Sequence, residues 1–375
     1  MIFSKRYIKL MAMQGETDNC IDVFYKHSDE KTKNLIIIGK AGVGKSTYII
    51  ENFSPFDYIK LAYTRLAATQ IKGNTLSSAF KLGMKNDKTV NESINLLRRY
   101  DRKFLKRLQY VKGLIIDEFF TTPFHIMEKV NEICKIIRKN NSPLGGLSLV
   151  LVGDDRQTES IEKSFVESDL FKQFVFDKIE LQEHPNMRLT YEFMHYCNQF
   201  RNPRLNRNKI LRLLKDERFS KCPIDNAYNV FYTNKEVNEC NEKCLTQFQG
   251  KKLFNYLGKD YKDGCPIRIT NNCENLCNGM MGFLTYKKKS FDERKEIEPV
   301  INIDGEYYDL DLEKNTFVPG FATTIHVCQS KTWHAINIYI SKKELFNNRS
   351  TNIRLIYVAL TRVRDFNKCY IKFKD

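Results

Sequence analysis

Short apolar, β-branched runs alternate with stretches of helical spacing through the first half of the chain. Leu35-Ile36-Ile37-Ile38, residues 58–63, Leu114-Ile115-Ile116, residues 147–153 and residues 178–181 are the apolar runs. A strand buried on both faces reads this way, and its alternation with amphipathic segments is the pattern of a parallel sheet wrapped by helices. Strands are therefore expected at 34–38, 58–63, 113–117, 147–153 and 178–181. Between the second and third, a Lys/Arg-rich segment keeps Ile94, Leu97, Phe104 and Leu108 at helical spacing, which predicts a short basic helical insertion near 84–111. Residues 1–183 then form a first domain.

The pattern restarts near Glu183. A helix is expected at 190–201, a strand at 228–232, a helix at 235–247 and a strand at Ile267-Arg268-Ile269. Residues 284–318 change texture: Val300-Ile301-Asn302-Ile303 alternates with period two and Asp304-Gly305 is a turn pair, which predicts a small β insertion. A helix at 321–331, a strand at 335–340, a helix at 353–362 and a last strand at 369–373 complete a second domain, residues 184–375. The fold class expected is α/β: two parallel-sheet lobes with a β-rich insertion in the second.

Charge narrows the partners. Lys and Arg total 61 against 45 Asp and Glu, a formal net charge of +16. That excess is unusual for an enzyme handling small anions alone and points to a polyanion, nucleic acid. No apolar run approaches the roughly 18 residues that a membrane helix needs. Lys5, Arg6 and Lys9 stand where a signal peptide would need its apolar stretch. A soluble intracellular protein without a membrane partner is the expectation. The 11 cysteines are irregularly placed and read as free thiols in a reducing compartment. Cys240/Cys244 and Cys273/Cys277, with Cys265 nearby, lack the two-residue knuckle spacing of zinc sites. Abundant Lys, Asn and Ile point to an A+T-rich genome, such as that of a large DNA virus.

The sharpest motif is Gly39-Lys40-Ala41-Gly42-Val43-Gly44-Lys45-Ser46, directly after the first apolar run and before helix-compatible Thr47-Tyr48-Ile49-Ile50. Strand, glycine-rich loop and helix in that order form a phosphate cradle: backbone N–H groups face the phosphates, Lys45 adds a cation and Ser46 holds Mg²⁺. ATP with Mg²⁺ is the ligand expected of residues 39–47. Leu114-Ile115-Ile116 ends in Asp117-Glu118 at the same sheet edge. There Asp117 would support Mg²⁺ and Glu118 would orient and deprotonate the attacking water. Leu149-Val150-Leu151-Val152-Gly153-Asp154 delivers a further polar tip, with Asp154 able to bond back to the loop and Gln157 long enough to sense a γ-phosphate.

With these residues in order, the chain resembles the RecD and Pif-type (petite integration frequency) DNA helicases of superfamily one. Thr64-Arg65-Leu66-Ala67-Ala68-Thr69 through Phe80 is similar to the family's first DNA-contact segment, and Met187-Arg188 followed by a helix ending Asn198-Gln199-Phe200-Arg201 is similar to its arginine-finger motif. Tyr232-Thr233-Asn234, Asn278-Gly279-Met280-Met281-Gly282, Ala322-Thr323-Thr324-Ile325-His326-Val327-Cys328-Gln329-Ser330-Lys331-Thr332 and Tyr357-Val358-Ala359-Leu360-Thr361-Arg362 resemble the later motifs. Ser77 departs from the usual histidine of the first DNA segment.

The resemblance implies two RecA-like lobes with ATP between them. Lys45, Asp117, Glu118 and Gln157 would act from one side and Arg188 and Arg362 from the other, with Gln329 in the segment that joins DNA to ATP. Thr64, Thr75, Phe80, His326, Thr332 and Trp333 would contact nucleic acid, Phe80 and Trp333 by stacking on bases. The activity implied is an ATP-dependent helicase, a monomer, moving 5′ to 3′ on single-stranded DNA and unwinding tailed duplexes. An RNA helicase of the same superfamily, and a nucleic-acid-binding protein with a vestigial ATPase, are the alternatives.

Overall fold

A computed structural model describes residues 34–374 except 84–85, 155–163, 185–186, 203–204, 272, 274–275, 277, 289–296, 304, 329–331 and 348. The first sheet is built from β1 (Asn34–Gly39), β2 (Tyr58–Ala62), β3 (Asn74–Thr75), β4 (Gly113–Asp117), β5 (Ser148–Gly153) and β6 (Phe176–Leu181). Its order is β3-β2-β4-β5-β1-β6, and every pairing is parallel. All five expected strands are present. β4 and β5 are buried at every residue, as strands covered on both faces must be.

Helices α1 (Lys45–Asn52) and α2 (Arg65–Gln70) follow the first two strands. The basic segment forms two helices instead of one, α3 (Val90–Tyr100) and α4 (Arg102–Tyr110). Thr89 and Glu92 make a reciprocal capping box that starts α3, and the Asp101 side chain accepts from Phe104 N–H to start α4. Their Ile94, Leu97 and Leu108 face inward, where α5 (Phe124–Arg138) adds Ile126, Met127, Val130 and Ile133 to the same core.

Past β6, α6 (Tyr191–Asn198) and α7 (Arg207–Leu214) lead to β7 (Tyr228–Phe231) and α8 (Asn234–Gln247). A β-rich section follows: the hairpin β8 (Lys252–Tyr256) and β9 (Lys259–Lys262), then β10 (Pro266–Ile269), β11 (Met281–Lys288), β12 (Ile297–Ile303), β13 (Glu306–Asp309) and β14 (Phe317–Pro319). The last five form an antiparallel sheet in the order β13-β12-β11-β10-β14. The chain then returns through β15 (Ala322–Thr324), β16 (Ile336–Ile340), α9 (Arg349–Leu360) and β17 (Cys369–Phe373). The second parallel sheet has the order β15-β7-β16-β17.

Two expectations change here. Ile267–Ile269 is an inner strand of the antiparallel sheet, so the insertion is wider than its period-two run indicates. The described part of the helix expected at 321–331 is no α-helix: Ala322, Thr323 and Thr324 pair with Asn229, Val230 and Phe231, and a short 3₁₀ turn, Ile325–Cys328, follows. Two adjacent β-branched threonines beside an unpaired edge of β7 favour the extended form over the helix. Asp304 of the expected turn lies outside the described residues.

The phosphate-loop side chains Ala41 and Val43 do not join the apolar clusters under the first sheet. They belong to the apolar cluster of the second, with Leu189, Phe193, Val230, Ile338 and Tyr357.

Candidate nucleotide site

β1 hands the chain to the loop at Gly39, and α1 begins at Lys45. Gly42 has φ +82°, and a Cβ there would meet Leu189 Cδ1 at 2.8 Å and Arg188 Cβ at 3.2 Å. Both the backbone angle and the close approach therefore require glycine. Gly44, φ 89°, turns the loop into α1 and places Ser46 and Thr47 in the helix's first turn. Lys45 Nζ donates to the carbonyl oxygens of Gly39 (2.7 Å) and Lys40 (3.0 Å). Burial lowers its proton affinity, and the charges of Asp154 and Asp117 oppose that shift. Lys40 pairs with Glu183 at 2.6 Å.

β5 lies between β1 and β4, with Gly153 beside Ile38 and Val152 beside Asp117. Asp154 thus emerges between the loop and the acid pair. Asp117 is buried and accepts from Glu118 N–H at 3.0 Å. Burial, and then the neighbouring Glu118 charge, push its pKa up to about 7. A cation beside it would reverse that shift. Glu118 takes the left-handed conformation, φ 53° and ψ 39°, and its carbonyl accepts from Thr121 Oγ1 at 2.8 Å. A non-glycine residue in that region costs on the order of 1 kcal/mol and recurs where geometry serves a site.

Two arginines, Arg362 buried and Arg188 half-buried, close the constellation. Arg188 N–H donates to the Gly42 carbonyl at 3.2 Å, while its guanidinium reaches Thr332 Oγ1 (2.9 Å) and the Thr361 carbonyl (2.7 Å). Burial, then the nearby charge of Arg362, lower its pKa to about 9. Its Nε is buried without a hydrogen-bond partner among the described residues. Arg362 Nε donates to the Val358 carbonyl (2.8 Å) and Nη2 to Thr361 Oγ1 (3.0 Å), and burial lowers its pKa as well. Two like charges and an orphaned donor beside a phosphate loop fit a polyphosphate anion.

Residues 15–205 match the PIF1-like helicase family. The chain belongs to that family. It is 29% identical over 335 residues to the ATP-dependent DNA helicase PIF1 of Candida albicans, an alignment covering 75% of this chain and 37% of that protein. The chain thus spans well under half the length of this curated relative. Its fold matches the crystal structure of the Candida albicans Pif1 helicase with a TM-score of 0.69 at 21% identity, covering 100% of this chain and 95% of that one. It also matches a Bacteroides Pif1 helicase crystallised with ADP-AlF3 and single-stranded DNA, with a TM-score of 0.66 at 21% identity, covering 99% and 92%. Both parallel sheets are therefore RecA-like lobes.

Against the family's motifs, the nucleotide residues converge and the nucleic-acid candidates divide. Ala41 N–H is taken by Tyr357 Oη at 3.1 Å, and the Ala41 and Val43 side chains are buried, so these two serve the loop through its backbone packing. Phe80 is fully buried and packs edge-on against Phe104 at 5.3 Å, and Trp333 is 7% exposed and stacked on Tyr228 at 5.1 Å. Neither ring presents a face for a base, which corrects the stacking assignment. Both sit in dense apolar clusters, where burying an aromatic ring is worth more than leaving it in water. Thr64 and Thr75 cap α2 and the short helix Leu76–Ala79 through hydrogen bonds from Ala67 and Ser78 N–H. His326 is exposed beside Tyr232, and Thr332 is exposed but holds Arg188. Gln157 and Gln329 lie outside the described residues.

Tyr357 and Arg201 fall within the quoted motifs, but their motifs gave neither a role at the site. Arg201 Nη1 donates to Asp154 Oδ1 at 2.6 Å and to Tyr357 Oη at 3.0 Å, and Tyr357 donates to Asp154 Oδ2 at 3.0 Å. A tyrosine in an apolar helix reads as core, and only the tertiary contact reveals its hydroxyl at work. Asp154, expected to bond the loop itself, is linked to it through Tyr357.

Proposed function

We propose that the chain is an ATP-dependent DNA helicase that moves 5′ to 3′ on single-stranded DNA, acting inside the cell as a monomer. The observation that carries the reading is the convergence, at one edge of the first sheet, of Lys45, Asp117 and Glu118 with the guanidiniums of Arg188 and Arg362. Residues 39–47 would bind the triphosphate, with Ser46 and Asp117 on Mg²⁺ and Glu118 activating water. Arg188 and Arg362 would meet charge developing on the γ-phosphate. The division between lobes falls in the segment after β6, near residue 183. DNA would lie across both lobes at the exposed Thr64, His326 and Thr332 and the half-buried Thr75. Closure around ATP then shifts one grip relative to the other.

Support comes from the Candida albicans relative, an ATP-dependent DNA helicase, and from the Bacteroides neighbour's single-stranded DNA complex. A strand-displacement assay with ATP and Mg²⁺ tests it. A duplex with a 5′ single-stranded DNA tail should unwind, and one with only a 3′ tail should not. Unwinding confined to the 3′ tail overturns the polarity, and unwinding confined to matched RNA overturns the substrate.

A further inference from the structure

Tyr357 lies on α9, wholly buried, and its hydroxyl uses its full bonding capacity. It accepts from Ala41 N–H (3.1 Å) and Arg201 Nη1 (3.0 Å) and donates to Asp154 Oδ2 (3.0 Å). One O–H and two lone pairs are all a phenol has. The Arg201 guanidinium also lies over the Tyr357 ring, 5.3 Å from its centre, and bonds Asp154 at 2.6 Å. Four residues from four separate parts of the chain therefore meet at one oxygen: the phosphate loop, the tip of β5, the turn after α6 and the last helix of the second lobe.

The consequence concerns the loop. Ala41 stands four residues before Lys45, on the limb of the loop that sets where the lysine and the glycine amides point. Its amide is fixed by a side chain of the opposite lobe, so loop geometry is tied to the spacing between lobes. Arg188 makes a second tie through the Gly42 carbonyl, but with its backbone N–H, which no side-chain substitution removes. We propose that Tyr357 is a positioning residue, oriented by Arg201 and Asp154, that sets the catalytic geometry of the phosphate loop according to how the lobes are closed. Through it, DNA held across the lobes accelerates hydrolysis. This rests on the helicase reading for the DNA step and on the hydroxyl geometry alone for the loop step.

The test is Tyr357→Phe in the full chain, which keeps the ring and removes the oxygen. ATP turnover is measured with and without saturating single-stranded DNA, separating kcat from KM, with DNA affinity and thermal unfolding alongside. Misplacing a reacting group by a fraction of an ångström costs about tenfold to a hundredfold in rate. The DNA-stimulated kcat should fall by that factor, with the KM for ATP and DNA affinity within about twofold and stimulation shrinking towards one. Arg201→Lys, whose ammonium lacks the planar fork that spans both partners, should reproduce the loss, and the double variant should add little. If Tyr357→Phe unfolds, Arg201→Lys carries the same test. Full stimulation in either folded variant overturns the proposal. So does a proportional loss with and without DNA that tracks thermal stability. If the unaltered chain shows no DNA stimulation, the helicase reading fails, and the positioning role is judged on kcat against KM with ATP alone.

Discussion

The two lobes present their charged groups by different means. In the first, Asp117 ends β4 and Asp154 follows β5, while Lys45 opens α1 one loop after β1, so the parallel ladder fixes their spacing. In the second, Arg362 follows α9 and is held by the helix's own Val358 carbonyl, while Arg188 reaches across to Thr332 and Thr361. Asp117 takes its place from its own sheet, whereas Asp154 is also held by Arg201 and Tyr357 of the second lobe. The arginines reach their places only when both lobes are together. The acid pair is thus set by the first lobe's own geometry, whereas transition-state charge is met by a geometry that closure creates.

Arg362→Ala cuts at the centre of that difference and should have the largest effect. A supplied arginine at a transferring phosphoryl group is worth on the order of 10³-fold or more in rate. Turnover should collapse by about that factor while ATP affinity, measured by equilibrium binding, changes little. Arg362→Lys should rescue poorly, because an ammonium lacks the planar fork. Equal losses of binding and turnover would place Arg362 with the strand-end groups and erase the contrast.

Within the first lobe, Lys45→Ala and Glu118→Gln should each lower turnover at least ~10²-fold but fail differently. The lysine variant should bind ATP weakly. The glutamine variant should bind ATP normally and accumulate as an unreacted complex, visible in single-turnover quench experiments. Near-normal turnover in either would remove that residue from the chemistry.

The smallest expected effect sharpens the contrast between exposed contact positions and the aromatic core. Phe80→Leu and Trp333→Phe should each cost roughly 1–2 kcal/mol of stability, read by denaturant midpoint, because they loosen packed rings. Single-stranded DNA affinity of the folded variants should stay within about twofold, whereas loss of a stacked base would cost ~1–3 kcal/mol of binding. A drop in affinity without a drop in stability would return these rings to the DNA surface.

The first lobe was legible because its signals are local. Apolar runs such as Leu114-Ile115-Ile116 have one structural use at that length, and the loop of residues 39–46 carries its chemistry in its own sequence. The second lobe was less so, because β15 exists only by pairing with β7, ninety residues earlier in the chain, and its Ala322-Thr323-Thr324 carries no run long enough to announce a strand. Phe80 and Trp333 misled for a related reason: a motif fixes where a residue falls along the chain, not which way its ring points. Tyr357 was quoted within a motif, yet its hydroxyl network depends on Ala41, 316 positions away.

Ala41 and Val43 lie in the loop that names the first lobe but are packed in the core of the second. The lobes are consequently not interchangeable parts. Severed from its neighbour, the first would carry a phosphate loop with its apolar underside bare to water. Transplanted onto a foreign partner, it would need a matching hollow for those two side chains before it could hold a nucleotide in the same way. Any recombination within this lineage that swaps one lobe has to bring that seam along with it.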